Sequence, residues 1–156
     1  MKHLLIILSI LLLSSPVIGD NHKGETLYKW KTSSGIKWKS FGDKDIQAKY
    51  RGDVENARPH GLGIIRFPDG AKYSGEWKNG KADGQGTFIS HNGEKYVGEW
   101  IENRKHGQGK SILSDGFIFE GEWNLGKPWN GTHFNKEGKI LYIVVKGENR
   151  PRASLE

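Results

Sequence analysis

The chain has 156 residues, of which 35% are apolar and 22 are glycine; it contains no cysteine, and 24 Lys and Arg against 18 Asp and Glu leave a formal charge of +6. Without cysteine there is no disulfide framework, no thiolate metal site and no acylated cysteine of a bacterial lipoprotein, so backbone pairing and packing must hold the fold. The basic residues are intermixed with Glu instead of clustering, which describes a solvated surface mildly attractive to anions and argues against nucleic acid as a partner.

At the N-terminus, Lys2 and His3 precede a ten-residue apolar stretch from Leu4 to Leu13, which Ser14-Ser15-Pro16 interrupts before Val17-Ile18-Gly19. That is the three-part layout of a secretory signal peptide, and the apolar stretch falls short of the roughly 20 residues that span a bilayer as a helix. Residues 1–19 are therefore expected to direct export to the periplasm or the extracellular space, with no lipid anchor on a cysteine. Cleavage after Gly19 is the favoured outcome, and retention as an uncleaved anchor is the alternative. The 137 residues that follow are one domain's worth of chain.

Residues 20–48 read as a capping hairpin: Leu27-Tyr28-Lys29-Trp30 and Ile36-Lys37-Trp38 are extended candidates separated by Thr32-Ser33-Ser34-Gly35. A repeat follows and dominates the sequence. Tyr50, Tyr73, Tyr96 and Phe119 are each 23 residues apart. Gly52, Gly75, Gly98 and Gly121 keep the same register, as do Trp77, Trp100 and Trp123, with Val54 in the first unit. A second block recurs as Gly61-Leu62-Gly63, Gly84-Gln85-Gly86 and Gly107-Gln108-Gly109, and units end on Asp69-Gly70, Asn92-Gly93, Asp115-Gly116 and Glu137-Gly138. Four units are so defined, 49–70, 72–93, 95–116 and 118–138.

The second unit shows the physics. Tyr73, Gly75 and Trp77 are two apart and share one face of an extended strand, with Ser74 and Glu76 on the other. Asn79-Gly80 tolerates the positive φ that a two-residue type I′ hairpin turn requires. On the returning strand, Gly84 and Gly86 leave room for a ring to lie on the backbone. A lone hairpin is marginal in water, so the units must stack to cover their aromatic faces. Helix is disfavoured, since each glycine costs a helix on the order of 1 kcal/mol. The expected fold is all-β: an elongated, single-layer antiparallel meander of tandem hairpins. After the repeats, residues 139–145 form the most apolar β-branched run and read as a closing strand, leaving a polar tail from Gly147 onward.

The pattern Tyr73-x-Gly75-Glu76-Trp77-x-Asn79-Gly80-Lys81 followed by Gly84-x-Gly86 closely resembles the MORN repeat (membrane occupation and recognition nexus), and the unit from Tyr96 to Gly109 does the same. The resemblance covers residues 49–138. The outer units depart from it: Val54 replaces the tryptophan, Asn56-Ala57 lacks a turn glycine, Glu102-Asn103 is an atypical turn, and Lys127-Pro128-Trp129-Asn130-Gly131-Thr132 stands where Gly-x-Gly is expected. The resemblance implies a β-hairpin solenoid that associates with proteins or membrane lipids. MORN arrays are also found joined to enzyme domains, but flanks of about 29 and 18 residues are too short for one here.

Few constellations suggest chemistry. Glu76, Glu99 and Glu122 form a carboxylate row, yet equivalent strands of successive hairpins lie about 9.6 Å apart. That is wide for the roughly 5–5.5 Å of a retaining glycosidase and at the limit of about 6.5–9.5 Å for an inverting one, so a structural or surface role is expected. His60 and His106 share a repeat position with Asp83 between them, a row that metal or pH chemistry would use; a turn-proximal polar role is the simpler reading. No Ser sits in a nucleophile elbow, and the Gly-x-Gly pairs lack the strand-to-helix setting of a phosphate loop. Asn130-Gly131-Thr132 matches a glycosylation acceptor but lies inside the terminal repeat. The rings read as core. No catalytic residue, cofactor or metal is therefore expected; the chain reads as a binding or scaffolding module with a protein partner. Anionic lipid is the alternative, suggested by Lys72, Lys78, Lys81, Lys95, Arg104, Lys105 and Lys127 recurring near aromatics.

Overall fold

The computed structural model describes residues 24–151, so the expected signal peptide, residues 1–19, lies outside the described residues. Twelve strands form one sheet: β1 (Glu25–Thr32), β2 (Gly35–Lys39), β3 (Ala48–Glu55), β4 (Arg58–Arg66), β5 (Lys72–Lys78), β6 (Lys81–Ile89), β7 (Lys95–Ile101), β8 (Arg104–Ile112), β9 (Ile118–Asn124), β10 (Lys127–Phe134), β11 (Ile140–Val145) and β12 (Glu148–Pro151). Neighbours pair antiparallel, and the order runs without crossing from β3 to β12, so each predicted unit is one hairpin of the expected meander.

The N-terminal hairpin departs from that meander. β1 is inserted between β2 and β3, which puts β2 at the outer edge. Residues 40–47 must therefore cross β1, and they do so on the face of Tyr28 and Trp30: Gly42 packs on the Tyr28 side chain, and the Trp30 indole donates to the Phe41 carbonyl at 3.1 Å. At the other end, β12 adds a strand where the sequence predicts a polar tail, because Lys146-Gly147 (φ 52° and 81°) make a two-residue turn that lets Val145 pair with Glu148. Both outer strands carry charge, Lys37 and Lys39 on one and Glu148 and Arg150 with Pro151 on the other, which discourages edge-to-edge pairing.

The four hairpin tips all have two consecutive residues of positive φ: Asn56-Ala57, Asn79-Gly80, Glu102-Asn103 and Leu125-Gly126. The turn type follows the strand twist even where the sequence offers no glycine. The second, third and fourth tips, and the Lys146-Gly147 turn after them, also bind the preceding unit. Gly80 N donates to Pro59 O (2.8 Å), Asn103 N to Ala82 O (2.9 Å), Gly126 N to Lys105 O (2.8 Å) and Gly147 N to Trp129 O (2.8 Å), a second ladder beside the sheet.

The core is an aromatic column on one face. Trp77, Trp100 and Trp123 each stand edge-on to the ring of their own unit and to that of the unit before, at 5.1–5.2 Å between centroids. Such geometry contributes about 0.5–1.5 kcal/mol per pair beyond burial. Their indoles donate to the carbonyls of Gly63, Gly86 and Gly109 at 3.1, 3.2 and 3.3 Å. Trp38 on β2 is four places from β5, about 19 Å in a flat sheet, yet its ring lies 6.1 Å from that of Trp77. The sheet thus curls around its rings.

The two glycines of each Gly-x-Gly have separate causes. Gly63, Gly86 and Gly109 form the floor: an added Cβ would stand 2.2, 2.3 and 2.3 Å from the phenol oxygens of Tyr50, Tyr73 and Tyr96. Gly61, Gly84 and Gly107 have φ of +63°, +105° and +54° and occupy a bulge, where the pairing slips.

Two substitutions that move one methyl group should therefore act in opposite directions. Gly86→Ala is expected to lower stability by roughly 1–3 kcal/mol through overpacking against Tyr73. Ala57→Gly removes a Cβ from a left-handed position and should raise it by about 0.5 kcal/mol. Urea unfolding midpoints of the two variants check both.

Candidate binding surface

The bulges consume the carboxylate row. Asp53, Glu76 and Glu99 accept hydrogen bonds from the amides of Leu62 (2.9 Å), Gln85 (2.9 Å) and Gln108 (2.8 Å), each across its own hairpin, and Glu122 accepts from the Asn130 side chain at 2.6 Å. Tyr50, Tyr73 and Tyr96 in turn donate to the main-chain carbonyls of Asp53 (2.7 Å), Glu76 (2.9 Å) and Glu99 (3.0 Å). Asp53, Glu76 and Glu99 thus each fasten a distorted turn of backbone, while Glu122 holds a side chain.

The histidine row does not converge on a metal-binding arrangement. Asp83 accepts from the Glu102 amide at 3.3 Å. A Glu55 carboxylate oxygen lies 3.0 Å from Nδ1 of His60, but the Nδ1 atoms of His60 and His106 make no aligned hydrogen bond. Among the described residues no three His, Asp or Glu side chains come together as a metal would require, and no helix is long and apolar enough to cross a membrane.

The expected contact residues divide between two faces. Lys72, Lys78 and Lys95 alternate with Tyr73, Trp77 and Tyr96 along their strands and so lie opposite the rings. There the register joins Lys49, Arg66, Lys72, Ile89, Lys95, Ile112 and Ile118 into one row, basic at the β3 end and apolar towards β9. Beside its basic end is a recess of about 600 Å³ lined by Lys49, Arg51, Arg66 and Phe67 together with the ion pair of Lys44 and Asp45. The sequence reading missed this recess; the spacing of Lys49 and Arg51 in one strand was its only local signal. Lys81 pairs with Glu102 at 3.1 Å, and Lys127 lines a recess of about 740 Å³ with Trp129, His133 and Tyr142.

Lys105, opposite Trp100, belongs to the aromatic side, and Arg104 before it borders the same groove from the hairpin tip. The Lys105 ammonium sits 4.8 Å from the Tyr96 ring centroid and 4.6 Å from that of Trp123, and burial lowers its pKa against the upward pull of Glu94. Both residues line a groove of about 480 Å³. Its floor is Ile65, Tyr73, Trp77 and Trp100; Lys29, Phe67 and Phe88 come from one end of the strands, and Ala82, Asn103, Arg104, Lys105 and Gly126 from the hairpin tips. Burial also lowers the pKa of Lys29. The rings are thus both core and groove floor, since Tyr73 and Trp77 are buried while Trp100 is only partly covered. Past Phe119 the column continues through His133 (4.8 Å) to Tyr142 (4.4 Å), and burial lowers the pKa of His133. Tyr142 is 23 residues after Phe119, a fifth ring of the repeat that the sequence reading passed over.

Stacked hairpins that share rings across a glycine floor, with a ring-lined groove, define a tandem β-hairpin repeat protein. The MORN repeat family model matches residues 50–72, 73–95, 96–117 and 119–129, about half of the chain. The chain belongs to the MORN repeat family, whose repeats are in general membrane- or protein-binding modules and not enzymes. No protein of curated function matches it significantly.

Burial, reinforced by the adjoining carboxylates, pushes the phenols of Tyr50, Tyr73 and Tyr96 well above the ordinary value of 10.0. A pKa raised in the folded state contributes stability that is complete below the unfolded value and lost as pH rises above it. The urea midpoint should therefore not fall on account of these phenols up to about pH 10 and should decline beyond it. Their phenolate absorbance should appear only together with unfolding.

Proposed function

We propose that the chain is an exported, non-enzymatic scaffold of the cell envelope or extracellular space that holds a protein partner on its repeat sheet. The observation that carries this reading is the ring-lined groove of about 480 Å³, open on one side and flanked by cations on both walls. The carboxylates best placed for chemistry support the reading from the other direction, because Glu76 and Glu99 are bound to main-chain amides. Export rests on the three-part layout of residues 1–19.

A second reading, peripheral binding to anionic membrane surfaces, draws on the opposite face. Lys49, Arg66, Lys72 and Lys95 lie in one cross-strand row there, and a basic row of this kind attracts anionic headgroups by about 1 kcal/mol per cation near the surface.

Affinity capture from envelope extract, beside co-sedimentation with phosphatidylglycerol vesicles at low salt, separates the two. The scaffold reading expects a stoichiometric protein to be retained and little protein to pellet with vesicles. Vesicle binding that Lys72→Gln/Lys95→Gln abolishes, with no protein captured, would transfer the function to the membrane. Intact mass of the exported protein should place its first residue at Asp20, whereas a start at Met1 would mean the segment is kept.

A further inference from the structure

We infer that the groove on the aromatic face takes an acidic linear segment of the partner, with a large apolar side chain seated on Tyr73, Trp77 and Trp100 and carboxylates reaching Lys29 on one wall and Arg104 and Lys105 on the other. This rests on the scaffold reading and specifies its ligand.

The argument is one of charge. Three cations line the groove and no carboxylate does. Lys29 is half-buried, and desolvation is the sole cause acting on its pKa, so no neighbouring acid compensates for its burial. Lys105 rests on two ring faces, with Glu94 acting on it from outside the groove. Lys81 and Lys110 pair with Glu102 at 3.1 Å and Glu120 at 3.3 Å. What sets Lys29 and Lys105 apart from exposed lysines such as Lys78 and Lys95 is that both are partly buried without an ion pair, and a ligand that brings carboxylates would complete them.

The placement of the charges selects the shape. Lys29 pairs with Ala48 at the start of β3, whereas Arg104 and Lys105 open β8 at the hairpin tips, so the cations flank the ring floor on two sides. A ligand with one charged head uses only one wall. An extended peptide projects successive side chains to opposite sides and can reach both while an apolar residue fills the floor between them. Ring-lined grooves with a few charged groups at the rim are suited to such anchors.

Fluorescence anisotropy of a labelled Glu-Glu-Leu-Trp-Glu-Glu peptide with the full chain tests this, with Lys-Lys-Leu-Trp-Lys-Lys as its charge-reversed control. Saturable binding of the acidic peptide alone is expected, weakened at least tenfold by Lys29→Gln/Arg104→Gln. That pair avoids Lys105, whose ring contacts contribute to folding; an unchanged circular dichroism spectrum and melting temperature would show that the variant is folded. Equal binding by the variant, equal binding of both peptides, or no saturable binding of the acidic one would overturn the assignment. The scaffold reading fails separately: a captured partner retained equally by Lys29→Gln/Arg104→Gln leaves that reading standing and removes the groove. An acidic peptide that binds through these residues while no partner is captured does the reverse.

Discussion

The contact between a tyrosine ring and a bare glycine backbone is the constraint on which the rest of the molecule depends. A single-layer sheet has no second layer to bury its apolar face against. Here the rings lie down on Gly63, Gly86 and Gly109 and are covered by the tryptophan of the next hairpin. That tryptophan also donates its N–H to the carbonyl of the same floor glycine, so one side chain closes both the apolar and the polar requirements between units. The phenol hydroxyl reaches a carbonyl at the bulge, and the bulge amide is held by Asp53, Glu76 or Glu99. Ring, floor, bulge and carboxylate form one unit of mutual support, which is why these positions recur together every 23 residues.

Much of this was legible because the repeat writes the same solution several times. Residues two apart in Tyr73-Ser74-Gly75-Glu76-Trp77 assign the buried face, and Asn79-Gly80 marks the turn. What escaped the sequence depends on relations between strands. Gly84 and Gly86 look alike in one dimension, yet one is required by a positive φ at a slipped register and the other by a ring from the facing strand. Ala57 and Glu102 adopt left-handed conformations that neither residue advertises, because the flanking strands impose the turn. The place of β1 between β2 and β3 carries no local signal at all.

The same limit governed the surface. Lysines scattered along a repeat look like one population, but Lys72 and Lys95 lie on the face away from the rings while Lys105 pairs across from Trp100 and turns towards them. Only the curl of the sheet, which brings Trp38 within 6.1 Å of Trp77, gives the ring face its concavity and gathers Lys29, Arg104 and Lys105 around one groove. The repeat fixes the frame, whereas the cations of the groove stand outside its pattern: Lys29 precedes the repeats, and Lys105 occupies the position held by Pro59, Ala82 and Pro128 in the other units.

The inserted position of β1 bears on the order in which the protein is built. A chain synthesised from its N-terminus presents the β1–β2 hairpin before β3, the strand that β1 must pair with, has appeared. The later hairpins can be laid down one upon the next as they arrive, but the first must wait and then be clasped from behind, with the segment 40–47 drawn across Tyr28 like a strap. Assembly thus begins in the interior of the chain and closes backwards onto its own leading end.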